Sequence, residues 1–270
     1  AVRGCARQVV RWHKADRADE EIMGAGTMTG GFRDLLPTAV EVEQTPHDAP
    51  AGVLFPEESA VVAKAVPRRR AEFAAVRDCA RRALRRLGQP PAPILPGPNR
   101  EPRWPAGVVG SLTHCEGCRA AAVARRSDVL ALGIDAEPNE PLPEGVAEMV
   151  AVAAEARRIA RLACVQPDVA WDRLLFSAKE SIYKAWFPLT RTWLDFTDCE
   201  LTVRSDDGTF TGRLLVVGRH AGGRTIERLN GRWTVHGRHI LTAVWEPAAG
   251  PAGLQRAGAF APGSALSPRR

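Results

Sequence analysis

Three short segments hold the residues with chemistry to offer: Gly110-Ser111-Leu112-Thr113-His114, Gly133-Ile134-Asp135-Ala136-Glu137 and Phe176-Ser177-Ala178-Lys179-Glu180-Ser181-Ile182-Tyr183-Lys184. Together they supply the carboxylates Asp135, Glu137 and Glu180, the lysines Lys179 and Lys184, and His114. That set can hold a divalent cation against a pyrophosphate. Asp135 and Glu137 lie two apart where an apolar run ends, and a strand's period of two puts both on one face, roughly 7 Å apart along the backbone. Oxygens so placed can share one hard cation, and Mg²⁺ accepts about one or two protein carboxylates alongside waters and phosphate oxygens.

Each segment also has a plainer reading. An isolated Asp-x-Glu is more often a polar strand exit than a ligand pair. Ser177 to Glu180 fits a capping box, with Ser177 as N-cap and Glu180 reaching back. Glu180 and Lys184, four apart, make an ordinary helix-surface ion pair. A lone histidine such as His114 is more often structural than functional. The balance shifts because Glu180, Tyr183, Lys184 and Phe187 share one helical face, which carries the chain's only tyrosine. Cys115 and Cys118 form a C-x-x-C across a turn, but no second pair or suitably spaced histidine is evident, so the motif is set aside.

The elements that must position these groups are legible in outline. Residues 56–88 read as a helix, with Phe73, Val76, Ala80, Leu84 and Leu87 at helical spacing and Gly88 as its stop. Residues 108–113 and 119–124 read as a hairpin across Glu116-Gly117, and 129–134 as a buried strand closed by Pro138. Helical patterns run over 146–164 and 171–187, the second ended by Pro188. Residues 198–245 read as strands, with hairpins at Asp206-Asp207-Gly208 and Asn230-Gly231. This order gives an α+β fold in two halves, residues 32–131 and 132–246. Residues 1–31, with Met28 as a candidate true start, and 247–270 read as disordered extensions.

Composition narrows the class. The 270 residues are 45% apolar and 25% charged, ordinary for a globular protein. No run approaches the ~18 apolar residues of a membrane span, and the N-terminal residues lack a secretory apolar core. Cysteines 5, 79, 115, 118, 164 and 199 are scattered, which fits reduced thiols. We therefore expect a cytoplasmic protein with no membrane partner. The net charge is +6, and the window from Pro67 to Gly88 alone holds eight arginines against Glu72 and Asp78, a surplus equal to the whole. Such a helix suits an acidic or phosphorylated partner.

The three segments, in this order, resemble the motifs of 4′-phosphopantetheinyl transferases, and of the larger pseudo-dimeric type that activates siderophore, peptide and polyketide synthases. Leu54-Phe55-Pro56-Glu57-Glu58, Arg68 to Phe73, Trp171 to Leu175 and Lys184 to Thr190 resemble that family's actinobacterial branch, and the likeness extends over about residues 45–245. The resemblance implies two similar α+β halves with the active site in the cleft between them. It implies transfer of the phosphopantetheine arm of coenzyme A to a serine of an acidic apo acyl or peptidyl carrier protein, releasing adenosine 3′,5′-bisphosphate. Asp135, Glu137 and Glu180 would hold Mg²⁺, or Mn²⁺ in its place. Lys184 and Lys179 would neutralise the phosphates. His114, Arg69 and Arg77 would meet the 3′-phosphate, with Ser111 and Thr113 beside them, and Tyr183 and Trp193 would line the pantetheine channel. The proton acceptor stays open between Glu180 and a water on the metal. The expected protein is a monomer that does not bind nucleic acid. The rival readings are a metal-dependent phosphohydrolase acting on a coenzyme A-like nucleotide and a basic nucleic-acid-binding protein.

Overall fold

Two helices of 20 residues each, laid on separate antiparallel sheets, set the architecture. The computed structural model describes residues 31–219 and 225–248, so all but three residues of the predicted extensions lie outside the described residues, as does Met28. The first sheet runs in the order β1-β3-β2, from Val40–Thr45 (β1), Val108–Cys115 (β2) and Cys118–Arg125 (β3). The short helix Phe32–Leu35 (α1) leads into it. The second runs β4-β8-β7-β6-β5, from Val129–Pro138 (β4), Cys199–Arg204 (β5), Thr209–Arg219 (β6), Thr225–His236 (β7) and His239–Pro247 (β8).

Between the sheets' outer strands lie Pro56–Val61 (α2), Pro67–Arg86 (α3), Val146–Val150 (α4), Ala153–Val165 (α5) and Trp171–Thr190 (α6). Ala80, Ala83 and Leu84 of α3 pack on Ala121 and Val123 of β3. The alanines let the helix sit close. Leu174, Ala178, Ile182 and Trp186 of α6 pack against Phe210, Leu229 and Val244 of the larger sheet. A third core, from Val42 and Ala122 to Ile134 and Ala243, fills the space between the two sheets. The α+β expectation is met. Among the described residues no helix is long and apolar enough to cross a membrane.

Several element boundaries differ from the sequence reading, each for a local reason. The helix expected over 56–88 breaks between α2 and α3, because Pro67 holds the preceding Val66 extended (φ −63°, ψ 155°) and restarts the helix at its first position. The pattern over 146–164 breaks where the Glu155 carboxylate accepts the Val152 N–H at 2.8 Å and caps α5. Pro188 does not end α6, which continues to Thr190. A proline this near a C-terminus forfeits a single hydrogen bond, that to the carbonyl four residues back. Asn230-Gly231 is no turn but lies inside β7. A Cβ on Gly231 would fall 2.2 Å from the Phe210 ring, so the glycine makes room for a core aromatic.

Candidate active site

β4 runs on through Asp135 and Glu137 and ends at Pro138, so both carboxylates are paired within the strand close to its end. Asp135 is buried at 5% exposure and fully engaged. Its Oδ1 accepts from Lys184 Nζ at 2.7 Å and from the Thr113 hydroxyl at 3.1 Å, and its Oδ2 accepts from the Ser177 hydroxyl at 2.8 Å. Lys184 Nζ also donates to the carbonyl of Ile134 at 3.1 Å. The helix carrying Lys184 rests on the strand without a side chain between them. A Cβ on Gly133 would lie 1.9 Å from the carbonyl oxygen of Ser181.

The electrostatics follow from three carboxylates around one ammonium. Burial alone would lower the Lys184 pKa, yet Asp135, Glu180 and Glu137 together hold it above the ordinary lysine range. Glu137 is pushed up to about 7 by burial and by the charge of Asp135, against the pull of Arg173, whose guanidinium lies 3.0 Å away. Glu180 is raised by burial and, less, by Asp135, with Lys184 opposing. The site therefore carries more negative charge than its cations relieve, and its donors are all oxygen. That chemistry fits a hard divalent cation. The three carboxylates are not assembled as a ligand set, however. Among the described residues no three His, Cys, Asp or Glu side chains converge closely enough to hold a metal ion.

A cleft of about 1410 Å³ opens in front of this centre. Glu180, Tyr183, Lys184 and Phe187 line one wall, so the predicted face of α6 does point into it. Arg69, Arg77 and His114 stand on the facing wall. The Arg69 guanidinium touches His114 Nε2 and pairs with Glu72 at 3.5 Å. Burial first, and then the neighbouring charge of Arg69, depress the His114 pKa to about 4, against Glu72, so the ring is neutral near pH 7 and accepts from Arg69. Arg77 is buried, its guanidinium 3.6 Å over the Phe73 ring and its Nε donating to the Ile94 carbonyl at 3.4 Å. Burial lowers its pKa to about 10, which leaves it charged. The arginines farther along α3 are engaged: Arg81 with the wholly buried Glu58, Arg82 and Arg86 with acids on β1.

Four predicted site residues stand elsewhere or act differently. Lys179 is corrected from phosphate contact to interior strut. It is 3% exposed, and its ammonium donates to Glu155 at 2.8 Å and to the carbonyls of Val150 and Phe196 at 2.9 and 2.8 Å. Ser111 and Thr113 border the cleft, but their hydroxyls face β4 and accept the N–H groups of Ile134 and Ala136, each at 3.0 Å. They join the two sheets. Trp193, 67% exposed, stacks edge-on to Tyr183 at 5.1 Å on the rim. Ser177 is no helix cap. It lies well inside α6, where it holds Asp135 and Thr242. Ser177, bonded to Asp135, and Arg173, paired with Glu137, belong to the candidate site and were missed by the sequence reading. The capping-box pattern hid the first, and nothing in spacing singled out the second.

A family model of the 4′-phosphopantetheinyl transferase N-terminal domain matches residues 57–124, and one of the 4′-phosphopantetheinyl transferase superfamily matches residues 131–235. The 4′-phosphopantetheinyl transferase Svp of Streptomyces mobaraensis is 56% identical over 222 residues, covering 81% of this chain and 89% of its own. PptT of Mycobacterium tuberculosis is 47% identical over 201 residues, 73% of this chain and 88% of its own. Npt of Nocardia iowensis is 43% identical over 221 residues, 78% of this chain and 97% of its own. With both halves of the cleft matched in order, the chain belongs to the 4′-phosphopantetheinyl transferase family.

Proposed function

We propose that this protein transfers the 4′-phosphopantetheine arm of coenzyme A to a serine of apo acyl or peptidyl carrier proteins and releases adenosine 3′,5′-bisphosphate. The observation that carries the reading is one cleft with two unlike walls: guanidinium groups and His114 on one side, Lys184 ringed by carboxylates on the other. A molecule with a phosphate at one end and a pyrophosphate further along suits both at once.

Arg69, Arg77 and His114 would receive the 3′-phosphate, for which arginine's planar fork is well shaped. Lys184 would stand beside the pyrophosphate, held there by Asp135. Asp135, Glu137 and Glu180 would hold Mg²⁺, which requires Glu137 to leave Arg173. The ion, when bound, neutralises charge on the pyrophosphate. Glu180, which lines the cleft, would be one acceptor for the proton of the attacking serine hydroxyl. The serine oxygen then bonds to the phosphorus that carries pantetheine. The bridging P–O bond breaks, and its electron pair leaves with adenosine 3′,5′-bisphosphate. Lys184 meets the charge that develops. Such reactions depend on positioning and charge neutralisation more than on covalent catalysis. Phe187 and Tyr183 in the cleft wall, with Trp193 against Tyr183 on the rim, would flank the pantetheine arm. An acidic carrier would meet this basic protein faster at low salt.

The test is intact-mass spectrometry of an apo carrier protein after incubation with the protein, coenzyme A and Mg²⁺. The expected result is a gain of one phosphopantetheine, lost with EDTA and with Asp135→Ala. No gain across fatty-acid, polyketide and peptide carriers would overturn the transferase reading. Release of adenosine 3′,5′-bisphosphate without a carrier would indicate a hydrolase instead.

A further inference from the structure

The β2–β3 hairpin ends on two thiols that the proposed transfer does not use. Cys115 and Cys118 face each other across its last rung, with only Glu116 and Gly117 between them and Gly117 at φ 71°. Opposed residues of an antiparallel pair have Cα atoms ~4.5–5.5 Å apart, within the ~4.4–6.8 Å that a disulfide spans. The Cys115 thiol is turned to the Glu116 carbonyl at 3.7 Å, on the turn that joins it to Cys118. Cys115 is partly exposed and gives the pair its access, whereas Cys118 is buried.

The surroundings favour reaction over inert burial. The guanidinium of Arg119 lies beside the pair, donating to the Cys115 carbonyl at 2.9 Å and pairing with Asp48 at 2.6 Å. Its buried Nε has no hydrogen-bond partner among the described residues. The neighbouring Cys115, and then Arg119, hold the Cys118 pKa below the ordinary thiol range despite burial, while Cys118 and burial raise that of Cys115. The neighbouring Cys79 differs, since burial pushes its pKa up to about 12 and its thiol is turned to the Arg119 carbonyl. His236 and His239 share a small pocket with Cys118, but His239 Nε2 is bonded to the Glu116 carbonyl at 2.7 Å, and no metal-holding group of three converges there among the described residues. The pair stands as a dithiol and not as half of a metal site.

We infer that Cys115 and Cys118 form a dithiol site that low-molecular-weight disulfides oxidise reversibly to an internal disulfide. One thiolate attacks a sulfur of the small disulfide RSSR, the S–S bond breaks, and RS⁻ leaves with the electron pair. The second thiolate then attacks the protein-bound sulfur and expels the other RS⁻. Two protein thiols are oxidised, one RSSR is reduced, and the two thiol protons end on two RSH. None of this requires the transfer reaction.

The experiment treats the folded, full-length protein with oxidised glutathione, quenches in acid, blocks free thiols with iodoacetamide and maps the tryptic peptide spanning residues 104–119. The peptide is expected lighter by two hydrogens than its dithiol form and without alkyl groups, and dithiothreitol should restore two alkylatable thiols. Either Cys115→Ser or Cys118→Ser should abolish the lighter species. Both cysteines alkylated, both carrying glutathione separately, or Cys118 joined to Cys79 would each overturn the inference.

Discussion

Lys179 and Lys184, five residues apart on α6, send their ammonium groups to different sides of the helix, one to Glu155 at 2.8 Å and the other to Asp135 at 2.7 Å. The first is interior and the second borders the cleft. A single motif thus contains one interior strut and one cation that borders the cleft.

The role proposed for Lys184 is tested by Lys184→Met. Loss of one charge-stabilising donor in a water-poor site costs about 10²–10³-fold in rate, and kcat for transfer is expected to fall on that scale. Circular dichroism should stay native, because Asp135 keeps its hydroxyl donors Thr113 and Ser177. A variant with full activity would remove Lys184 from the chemistry.

The strut is tested by Lys179→Met, which leaves Glu155 1% exposed without its counter-charge. Breaking a buried pair from one side costs about 3–5 kcal/mol, and urea denaturation should show it. Lys179→Met with Glu155→Leu should recover part of that loss. The KM for coenzyme A in the folded fraction should be unchanged, which a phosphate-binding lysine would not allow.

How far the sequence carried the reading is visible in these two lysines. Helical geometry at ~100° per residue puts positions five apart about 140° from each other, so the face shared by Glu180, Tyr183, Lys184 and Phe187 was predictable and Lys179 was already off it. The resemblance drew both into one role. Ser111 and Thr113 show another cause: a small hydroxyl residue on a strand looks the same whether it faces a ligand or another strand's N–H. Strand and hairpin positions near the site, set by alternation and the Glu116-Gly117 turn, were legible. Helix breaks at Val66 and Val152 depend on a proline's neighbour and on a carboxylate reaching back, which periodicity does not register.

Glu180→Gln separates chemistry from scaffold. Glu180 does not cap a helix, so the amide should leave the melting temperature nearly unaltered. Under the proposed reading transfer should be lost, because an amide neither takes up the serine proton nor holds a hard cation as a carboxylate does. Coenzyme A binding by calorimetry should persist. Retained transfer would assign the proton to another acceptor.

His114 makes stability depend on pH. Its folded pKa of about 4 lies below the ordinary histidine value of 6.5, so its contribution is present above that value and is lost as pH falls through the window between them. With the ring about a third exposed, the loss should be on the order of 1 kcal/mol. Denaturation of wild type and His114→Gln at about pH 7.5 and pH 5 should show the larger drop in wild type. Equal drops would mean that the ring takes up its proton as readily folded as unfolded.

Gly133→Ala tests the contact between strand and helix. The new methyl would meet backbone on α6, 1.9 Å from the Ser181 oxygen and 2.9 Å from the Ala185 nitrogen, where no side chain can yield. A destabilisation of about 3 kcal/mol or more is expected in thermal melts. An unshifted transition would show that α6 can lift from β4 freely.

The hydroxyls of Ser111 and Thr113 lock β2 to β4, and β2 and β4 carry His114 and Asp135 respectively. Under the proposed reading, the protein is a calliper with its jaws fixed by two short bonds. It would choose its substrate by the interval between two phosphate groups before any base or thiol is inspected.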